Sequence, residues 1–406
     1  MSDVMLINPS SRDILTNAGD RPPIGLLSIA SSLKEAGIKV RVRDMDHCSM
    51  ERLVYELDNK TPEYVGVSVY TSPVYPEAVR LGQMCASRGI RTIAGGYHAT
   101  AMPQTLSPYF NTVVVGEGEE ITPVMIKHGL PNKVVTPNPT NLRRMAIPGR
   151  EFVNMADYTF RQDGRKASTS ITSRGCANGC IFCGNMNRRV RYHTDDYVTR
   201  DIRQLKEYGF RDIYFLDDAF TTNRRRTLGL LDKIGDEDIR FRLTTRANML
   251  DDDLVRNLSQ AGCSWVSLGI ESGVDERLDD VSKRMTTQDN LNAVRTLTKY
   301  RIKSKGFFMF GLPNETLADA TRTINFALGL KQEGLTSADF YIMTPFPGTP
   351  IWRQPQEFGI EILDRDYTKY LEAGKKPPKA FHRTNGMSAQ QIEDVRNIAE
   401  EQWKNS

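Results

Sequence analysis

Ala167-Ser-Thr-Ser-Ile-Thr172-Ser-Arg-Gly-Cys176-Ala-Asn-Gly-Cys180-Ile-Phe-Cys183 is the stretch around which the chain is organised. Its first six residues read as a β-strand, and three cysteines then fall within eight residues at the spacing C-x3-C-x2-C. Thiolates are the usual ligands of iron–sulfur clusters. Three of them can hold three irons of a four-iron cluster and leave the last iron open to a ligand, as a catalytic zinc site keeps one position open. Two other readings exist. A structural zinc site would take His193 as its fourth ligand, but such sites pair CxxC units and this stretch does not. Disulfide bonding leaves one of three clustered cysteines over. The spacing favours the open cluster.

Working outward, strand and helix patterns alternate between residues 167 and 351. Strand candidates are Ala167–Thr172, Asp212–Leu216, Ile239–Thr244, Ser264–Ile270, Lys305–Phe310 and Asp339–Met343, with amphipathic helices between them. Six such units predict a partial (β/α)6 barrel, whose active site lies at the carboxyl ends of the strands. The cysteines fall there. Polar or glycine-rich residues end the other strands as well: Asp217-Asp218, Thr245-Arg246, Glu271-Ser272-Gly273, Gly311-Leu-Pro-Asn-Glu315 and Thr344-Pro-Phe-Pro-Gly-Thr349. Singly each would be a turn or a cap; together they predict a pocket. Asp251-Asp-Asp253 reads only as a helix start on the opposite face.

Residues 1–125 repeat the alternation, with strands at Val4–Ile7, Lys39–Arg43, Tyr64–Tyr70 and Arg91–Ala94, and a last one at Asn111–Val115. That order predicts a doubly wound parallel sheet, with ligands beyond the carboxyl ends of its strands. Asn8-Pro9, Ser68, Thr71, Gly95-Gly96-Tyr-His98 and Gly116-Glu117-Gly118 stand at those ends. No G-x-G-x-x-G follows the first strand, so a nicotinamide or flavin dinucleotide site is not expected. Residues 126–166 are proline-broken and read as a linker. Residues 352–406 read as a short, mainly helical extension, with Ser388 capping a final helix.

The 406-residue length suggests two to three domains, and 39% hydrophobic with 26% charged residues is ordinary for a globular protein. No apolar run is long enough to span a bilayer, and the N-terminus lacks the pattern of a signal peptide. Six cysteines in such a chain argue for a reducing, cytoplasmic setting. Cys48, Cys85 and Cys263 read as small buried apolar residues. A net charge of +4 does not by itself call for a nucleic-acid partner.

Two groups of motifs carry a family resemblance. Pro22-Pro23-Ile-Gly25-Leu26, Gly95-Gly96-Tyr-His98-Ala-Thr100 and Val115-Gly116-Glu117-Gly118-Glu119 resemble the cobalamin-binding domain fused to many radical S-adenosylmethionine (SAM) enzymes. Cys176, Cys180 and Cys183 with Phe182, Phe215-Leu-Asp217-Asp218-Ala-Phe220, Thr245-Arg246, Gly269-Ile-Glu271-Ser272-Gly273 and Phe310-Gly311-Leu-Pro313-Asn-Glu315-Thr316 resemble the radical SAM core, with Asn314 replacing its usual glycine. The resemblance implies an α/β protein. A Rossmann-like, cobalamin-binding type of doubly wound parallel-sheet domain (1–125) and a linker (126–166) precede a partial (β/α)6 barrel (167–351) and a helical C-terminal extension (352–406).

It also implies three cofactors. A 4Fe-4S cluster would be held by Cys176, Cys180 and Cys183. SAM would lie near Phe182, Asp217, Asp218, Arg246, Glu271, Ser272 and Phe310. Cobalamin would lie beside Asn8, Pro9, Ser68, Thr71, Gly95, Gly96, His98, Gly116, Glu117 and Gly118. The D-x-H-x-x-G motif is missing, and Asp44-Met-Asp46-His47-Cys48-Ser49 lacks its spacing, so no protein histidine is expected beneath the cobalt. Tyr367, Tyr370 and His382 of the extension would face substrate.

The implied chemistry is reductive cleavage of SAM to a 5′-deoxyadenosyl radical, with electrons from a donor such as flavodoxin or ferredoxin. The implied activity is a cobalamin-dependent methyltransferase acting on an unactivated carbon of a small metabolite or peptide. The alternative keeps the radical but not the transfer: a cyclase, ring contraction, dehydration or epimerisation. A methylthiotransferase is disfavoured because no second cysteine trio stands in the first domain, and a nucleic-acid substrate recedes with it.

Overall fold

The computed structural model describes residues 3–12, 18–131, 133–185, 187–374 and 376–406. Its contacts divide the chain into two compact units, Met1–Thr169 and Ser170–Ser406.

The first unit begins β1 (Asp3–Asn8), α1 (Ile24–Glu35), β2 (Lys39–Asp44), α2 (Met50–Asn59), β3 (Tyr64–Ser68), α3 (Tyr75–Ala86) and β4 (Arg91–Gly95). It continues with the short α4 (Tyr97–Ala101) and α5 (Pro103–Leu106), then β5 (Thr112–Val114), α6 (Ile121–His128) and β6 (Lys133–Val135). The strands pair in parallel in the order β2-β1-β3-β4-β5-β6. Period-two alternation along β1 explains the double winding. Val4 and Leu6 pack with residues of α1 and α6, whereas Met5 and Ile7 pack with residues of α2 and α3. From β1 the chain goes to β2 on one side, then crosses from β2 back over β1 to β3 on the other, so the crevice between β1 and β3 is where such a sheet takes a ligand.

One expectation fails here. Asn111–Val115 is not the last strand: Lys133-Val-Val135, inside the supposed linker, adds a parallel edge strand beyond β5. Its β-branched pair was hidden among prolines.

The second sheet runs β15-β14-β13-β12-β11-β8-β7, and its end strands do not meet, so it stays open. In chain order come β7 (Arg161–Gln162), β8 (Arg165–Ser170), a separate two-stranded pair of β9 (Ser173–Arg174) with β10 (Arg191–Tyr192), and α7 (Asp195–Glu207). There follow β11 (Asp212–Phe215), α8 (Arg224–Gly235), β12 (Arg240–Thr245), α9 (Asp252–Gln260), β13 (Cys263–Glu271), α10 (Asp275–Asp280), α11 (Thr287–Lys299), β14 (Lys303–Phe310), α12 (Leu317–Gln332) and β15 (Ser337–Ile342). Strands β11 to β15 are mutually parallel. The division between the units falls inside β8. The antiparallel β7–β8 hairpin was not expected, although Asp163-Gly164, both at positive φ (48° and 75°), is the turn chemistry that closes one. Asp251 caps α9 through its side chain, as predicted. Thr286, Thr316 and Ser388 open α11, α12 and the last helix with capping boxes, each worth about 1 kcal/mol.

The C-terminal extension is not only helical. Between α13 (Pro350–Arg353) and α14 (Ala389–Asn405) lies an antiparallel pair, β16 (Ile360–Ile362) with β17 (His382–Thr384). Helix α14 lies across β15, where Arg396 Nε donates to Phe340 O at 3.2 Å.

Candidate active site

The segment after β8 is clamped before it reaches the cysteines. Asp217, at the end of β11, accepts from the Thr172 backbone N–H (3.0 Å), the Thr172 hydroxyl (2.7 Å) and the Ser173 hydroxyl (2.5 Å). Burial pushes its carboxyl above the usual range, and these bonds oppose that shift. Asp218 accepts from the Gly175 N–H at 3.1 Å. Gly175 has φ +97°, and a Cβ there would collide with the Arg189 carbonyl oxygen, so only glycine makes this bend. The adjacent acids therefore hold the loop that carries the thiols.

All three thiols are free. Asn178 Nδ2 donates to Cys176 Sγ at 3.3 Å, and the Asn185 N–H approaches Cys183 Sγ at 3.4 Å. Cys180 is buried and Cys183 exposed. Among the described residues no three His, Cys, Asp or Glu side chains converge to hold one ion. His193 is buried and stacked on Tyr197 with ring centroids 3.8 Å apart, a core role rather than a zinc ligand. The loop is tied down further on, where the Ile181 N–H donates to Val281 O at 3.2 Å. Phe182 packs with Met309 against the cluster built on Ile181, Leu312 and Met343.

Two buried groups beside this loop have unused bonding capacity. Arg246, only 6% exposed, places Nη1 3.6 Å from Cys180 Sγ, while its Nε and Nη2 have no hydrogen-bond partner. Glu271 ends β13 in the left-handed region (φ +67°). Its Oε1 takes Lys283 Nζ at 2.6 Å, and its Oε2 has no partner. Buried polar groups are rarely left so.

Other predicted residues lie elsewhere. Ser272 is fully buried, with its hydroxyl 3.1 Å from Thr323 Oγ1 and 3.2 Å from the Val274 N–H; it fastens a turn. Phe310 points to the helix-covered side of β14 and stacks on Phe340, so its ring does not face the thiols. In the extension, Tyr370 is 1% exposed and donates to Asp364 O at 2.7 Å. His382 is buried with Nε2 2.8 Å from Gly311 O. Tyr367 packs edge-on against Trp352. Tyr370 and His382 thus pack the core instead of facing a substrate.

In the first unit Asn8 and Pro9 are buried at the end of β1, and Asn8 Nδ2 donates to Asp44 Oδ1 at 3.1 Å. Ser68 pairs with Gly95 in the ladder, and Thr71 accepts from the Val74 N–H at 3.3 Å. Gly96 (φ +107°) has no room for a Cβ, which would lie 2.9 Å from the Val69 carbonyl. His98 is wholly buried, with Nδ1 3.0 Å from Ser72 Oγ and Nε2 3.0 Å from Thr105 Oγ1. Burial pushes its imidazole down to about 4. Both nitrogens are engaged, so it is a strut and not a ligand. Glu117 is likewise engaged, accepting from the Thr140 N–H at 2.8 Å; Gly116 is exposed at the turn before it and Gly118 buried behind it against Ile29.

Residues 170–327 match the model of the radical SAM superfamily, and residues 13–125 match that of the B12 binding domain. The chain is a radical SAM enzyme with a B12-binding domain. It is 29% identical over 91% of its length to an uncharacterized methyltransferase, PH0819, of Pyrococcus horikoshii, of which it covers 86%. Its fold is that of the radical SAM methyltransferase TsrM of Kitasatospora setae, with TM-score 0.72, 20% identity, and 89% and 81% of the two chains covered. It is also that of the cobalamin-dependent radical SAM enzyme OxsB, with TM-score 0.77, 17% identity, and 100% and 67% covered.

The radical SAM domain brings with it a 4Fe-4S cluster and SAM, and the B12-binding domain brings cobalamin. The residues of the second unit fit the cluster and SAM: three free thiols on one clamped loop, with the unpartnered buried N–H groups of Arg246 and an unpartnered carboxylate oxygen of Glu271. Sequence reasoning missed two residues of this radical SAM domain. Lys283 comes from a turn twelve residues after Glu271, with no local pattern to mark it. Arg226, on α8, donates to Thr172 O at 3.1 Å and faces Asp217 across the same segment. Among the described residues no helix is long and apolar enough to cross a membrane.

Proposed function

We propose that this enzyme is a cobalamin-dependent methyltransferase acting on an unactivated carbon of a small metabolite or peptide. The observation that supports it is the pairing, in one chain, of a B12-binding domain with a thiol loop set beside the unpartnered N–H groups of Arg246. Cys176, Cys180 and Cys183 would hold the cluster. When bound, the cluster and SAM supply one-electron cleavage of the sulfonium, and cobalamin supplies methyl carriage.

The chain's own residues bind and orient. Asp217 and Asp218 fix the thiol loop. Arg246 offers two buried donors to the carboxylate of SAM, a planar match that a guanidinium makes well. Glu271 offers Oε2 to a ribose hydroxyl, with Lys283 holding it in place. Phe182 and Met309 give the mouth an apolar wall that keeps water from a reactive centre. Asn8, Pro9, Ser68, Thr71, Gly95, Gly96 and Gly116 would border cobalamin, while His98 and Glu117 support the loops behind them. A flavodoxin or ferredoxin would supply electrons.

Anaerobically reconstituted protein, given SAM with a deuterated methyl group, is expected to bind corrinoid, release 5′-deoxyadenosine and transfer the labelled methyl. Protein that binds no corrinoid overturns the proposal. Release of 5′-deoxyadenosine with an unlabelled product moves the reading to cyclase-type or other radical chemistry without transfer.

A further inference from the structure

The inner face of a closed barrel is filled by branched apolar side chains. The inner face of this open sheet is not. Along β12 to β15 one parity packs against the helices: Phe241, Leu243, Val266, Leu268, Phe308 and Phe340 are all buried. The other parity faces the opposite side, and the strand register stacks it in layers. Tyr214 stands opposite Arg242, Arg242 opposite Trp265, and Trp265 opposite Lys303. Above them Ser267 stands opposite Lys305, then Phe307 opposite Asp339, then Met309 opposite Tyr341. The stack rises toward the end of β13, where the Glu271–Lys283 pair overhangs Gly269 on the same face.

This face interleaves aromatic side chains and Met309 with charged ones, and it carries more positive than negative charge. Its carboxylates are taken up by its own cations: Asp339 Oδ2 lies 2.6 Å from Lys305 Nζ, and Asp212 Oδ1 lies 3.6 Å from Arg240 Nε. Arg242 has only neutral partners. Its guanidinium lies 4.6 Å over the Tyr214 ring, and Nη2 donates to Ser267 Oγ at 3.0 Å. Its Nε–H is buried without a partner. A stacked, half-buried guanidinium with an unused donor is pre-set for a planar anion. A cleft lined by one sign of charge concentrates ligands of the other. Tyr341, 41% exposed, turns a phenol into the same space, with its hydroxyl 2.9 Å from Asp339 Oδ2.

We propose that the inner face of this sheet selects a compact anionic substrate, a carboxylate or a phosphate monoester, anchored by Arg242. An apolar polycyclic body would strand the charges of Arg242, Lys305 and Asp339. The inference rests on the radical-enzyme reading for the reaction, while the choice of substrate rests on the charge of the sheet itself.

Anaerobically reconstituted holoenzyme and its Arg242→Met variant are equilibrated with the low-molecular-weight fraction of a cell extract and washed. Released compounds are then identified by mass spectrometry. Acidic compounds are expected on the wild type and reduced at least tenfold on the variant, and their fragmentation tells carboxylate from phosphate. Neutral or apolar compounds retained equally by both proteins, or no retained compound, overturn the proposal. A second measurement needs no ligand. With Trp352→Phe and Trp403→Phe in place, Trp265 is the reporter. Iodide should quench it more strongly than caesium, and the excess should vanish in Arg242→Met/Lys303→Met/Lys305→Met, since Lys303 Nζ lies 5.3 Å over the same ring. Equal quenching by the two ions also overturns the proposal. Iron content and 5′-deoxyadenosine release on the same preparations separate a failed cavity from a failed reading of the thiol site.

Discussion

Lys283 Nζ lies 2.6 Å from Glu271 Oε1, and each side chain is only 6% exposed. Three features hold the pair. Glu271 accepts a left-handed backbone (φ +67°), a conformation that costs a non-glycine residue about 1–3 kcal/mol. Gly269 leaves room, since a Cβ there would lie 2.6 Å from Oε1 and 2.7 Å from Nζ. The turn that carries Lys283 begins at Val281, whose carbonyl accepts from the Ile181 N–H inside the thiol loop. The pair thus connects the strand that would meet SAM with the loop that would hold the cluster. Lys283→Met leaves a buried carboxylate alone. It should lower unfolding stability by about 3–5 kcal/mol and weaken SAM binding at least about tenfold. Lys283→Arg should recover most of both. Urea unfolding and equilibrium dialysis with labelled SAM measure them. Wild-type SAM affinity in Lys283→Met would show that Glu271 does not depend on its partner.

Asp217 satisfies three donors of Thr172 and Ser173 with two oxygens. In Asp217→Asn the amide NH2 faces either the Thr172 N–H, which cannot accept, or the two hydroxyls, which must turn to accept and lose the acceptor for their own protons, at about 1–3 kcal/mol. The loop bearing Cys176 should loosen, and iron and sulfide per chain after reconstitution should fall while far-ultraviolet circular dichroism stays native. Wild-type cluster content and melting temperature together would remove Asp217 from this role.

The elements were legible where period and punctuation agree. Val4-Met-Leu-Ile7, Tyr64–Ser68 and the strands of the second sheet show continuous or alternating apolar runs that end at polar turns. The thiol loop was legible because cysteines at that spacing have few other uses. What could not be read was parity. In Lys303-Ser-Lys-Gly-Phe-Phe-Met-Phe310 both parities carry aromatics, so sequence alone does not say that Phe308 and Phe310 meet the helices while Phe307 and Met309 face inward. The polar residues Ser272, His98, Glu117 and His382 stand where a ligand was expected, but they bond to their own backbone and neighbours. Lys283 was invisible because only tertiary folding brings it to Glu271.

The six cysteines divide by environment. Cys85 and Cys263 are buried, and burial pushes the Cys85 thiol up to about 11, which makes it a poor thiolate. Alanine at Cys176, Cys180 or Cys183 should abolish SAM cleavage and cut iron content sharply, whereas Cys85→Ala should cost only packing, about 1 kcal/mol, and keep its iron. Iron analysis and 5′-deoxyadenosine assay on the four variants decide it. SAM cleavage that survives in any of the first three would mean that the thiol has been misassigned.

The two buried histidines set the acid side of stability. Burial pushes both His98 and His382 down to about 4 from an ordinary 6.5. A depressed folded-state pKa means that the unfolded chain binds the extra proton first. The stability they allow is therefore complete above about pH 6.5 and is lost as pH falls toward 4, at up to about 1.4 kcal/mol per pH unit for each histidine. His98→Asn keeps a polar partner for Ser72 but cannot take up a proton. It should be less stable than wild type at pH 7.5, and it should lose less on going to pH 5. Urea unfolding of the apoprotein at the two pH values measures the difference. An unchanged pH slope in His98→Asn would mean that its imidazole stays charged in the fold, against the two neutral hydroxyl contacts and the burial that surround it.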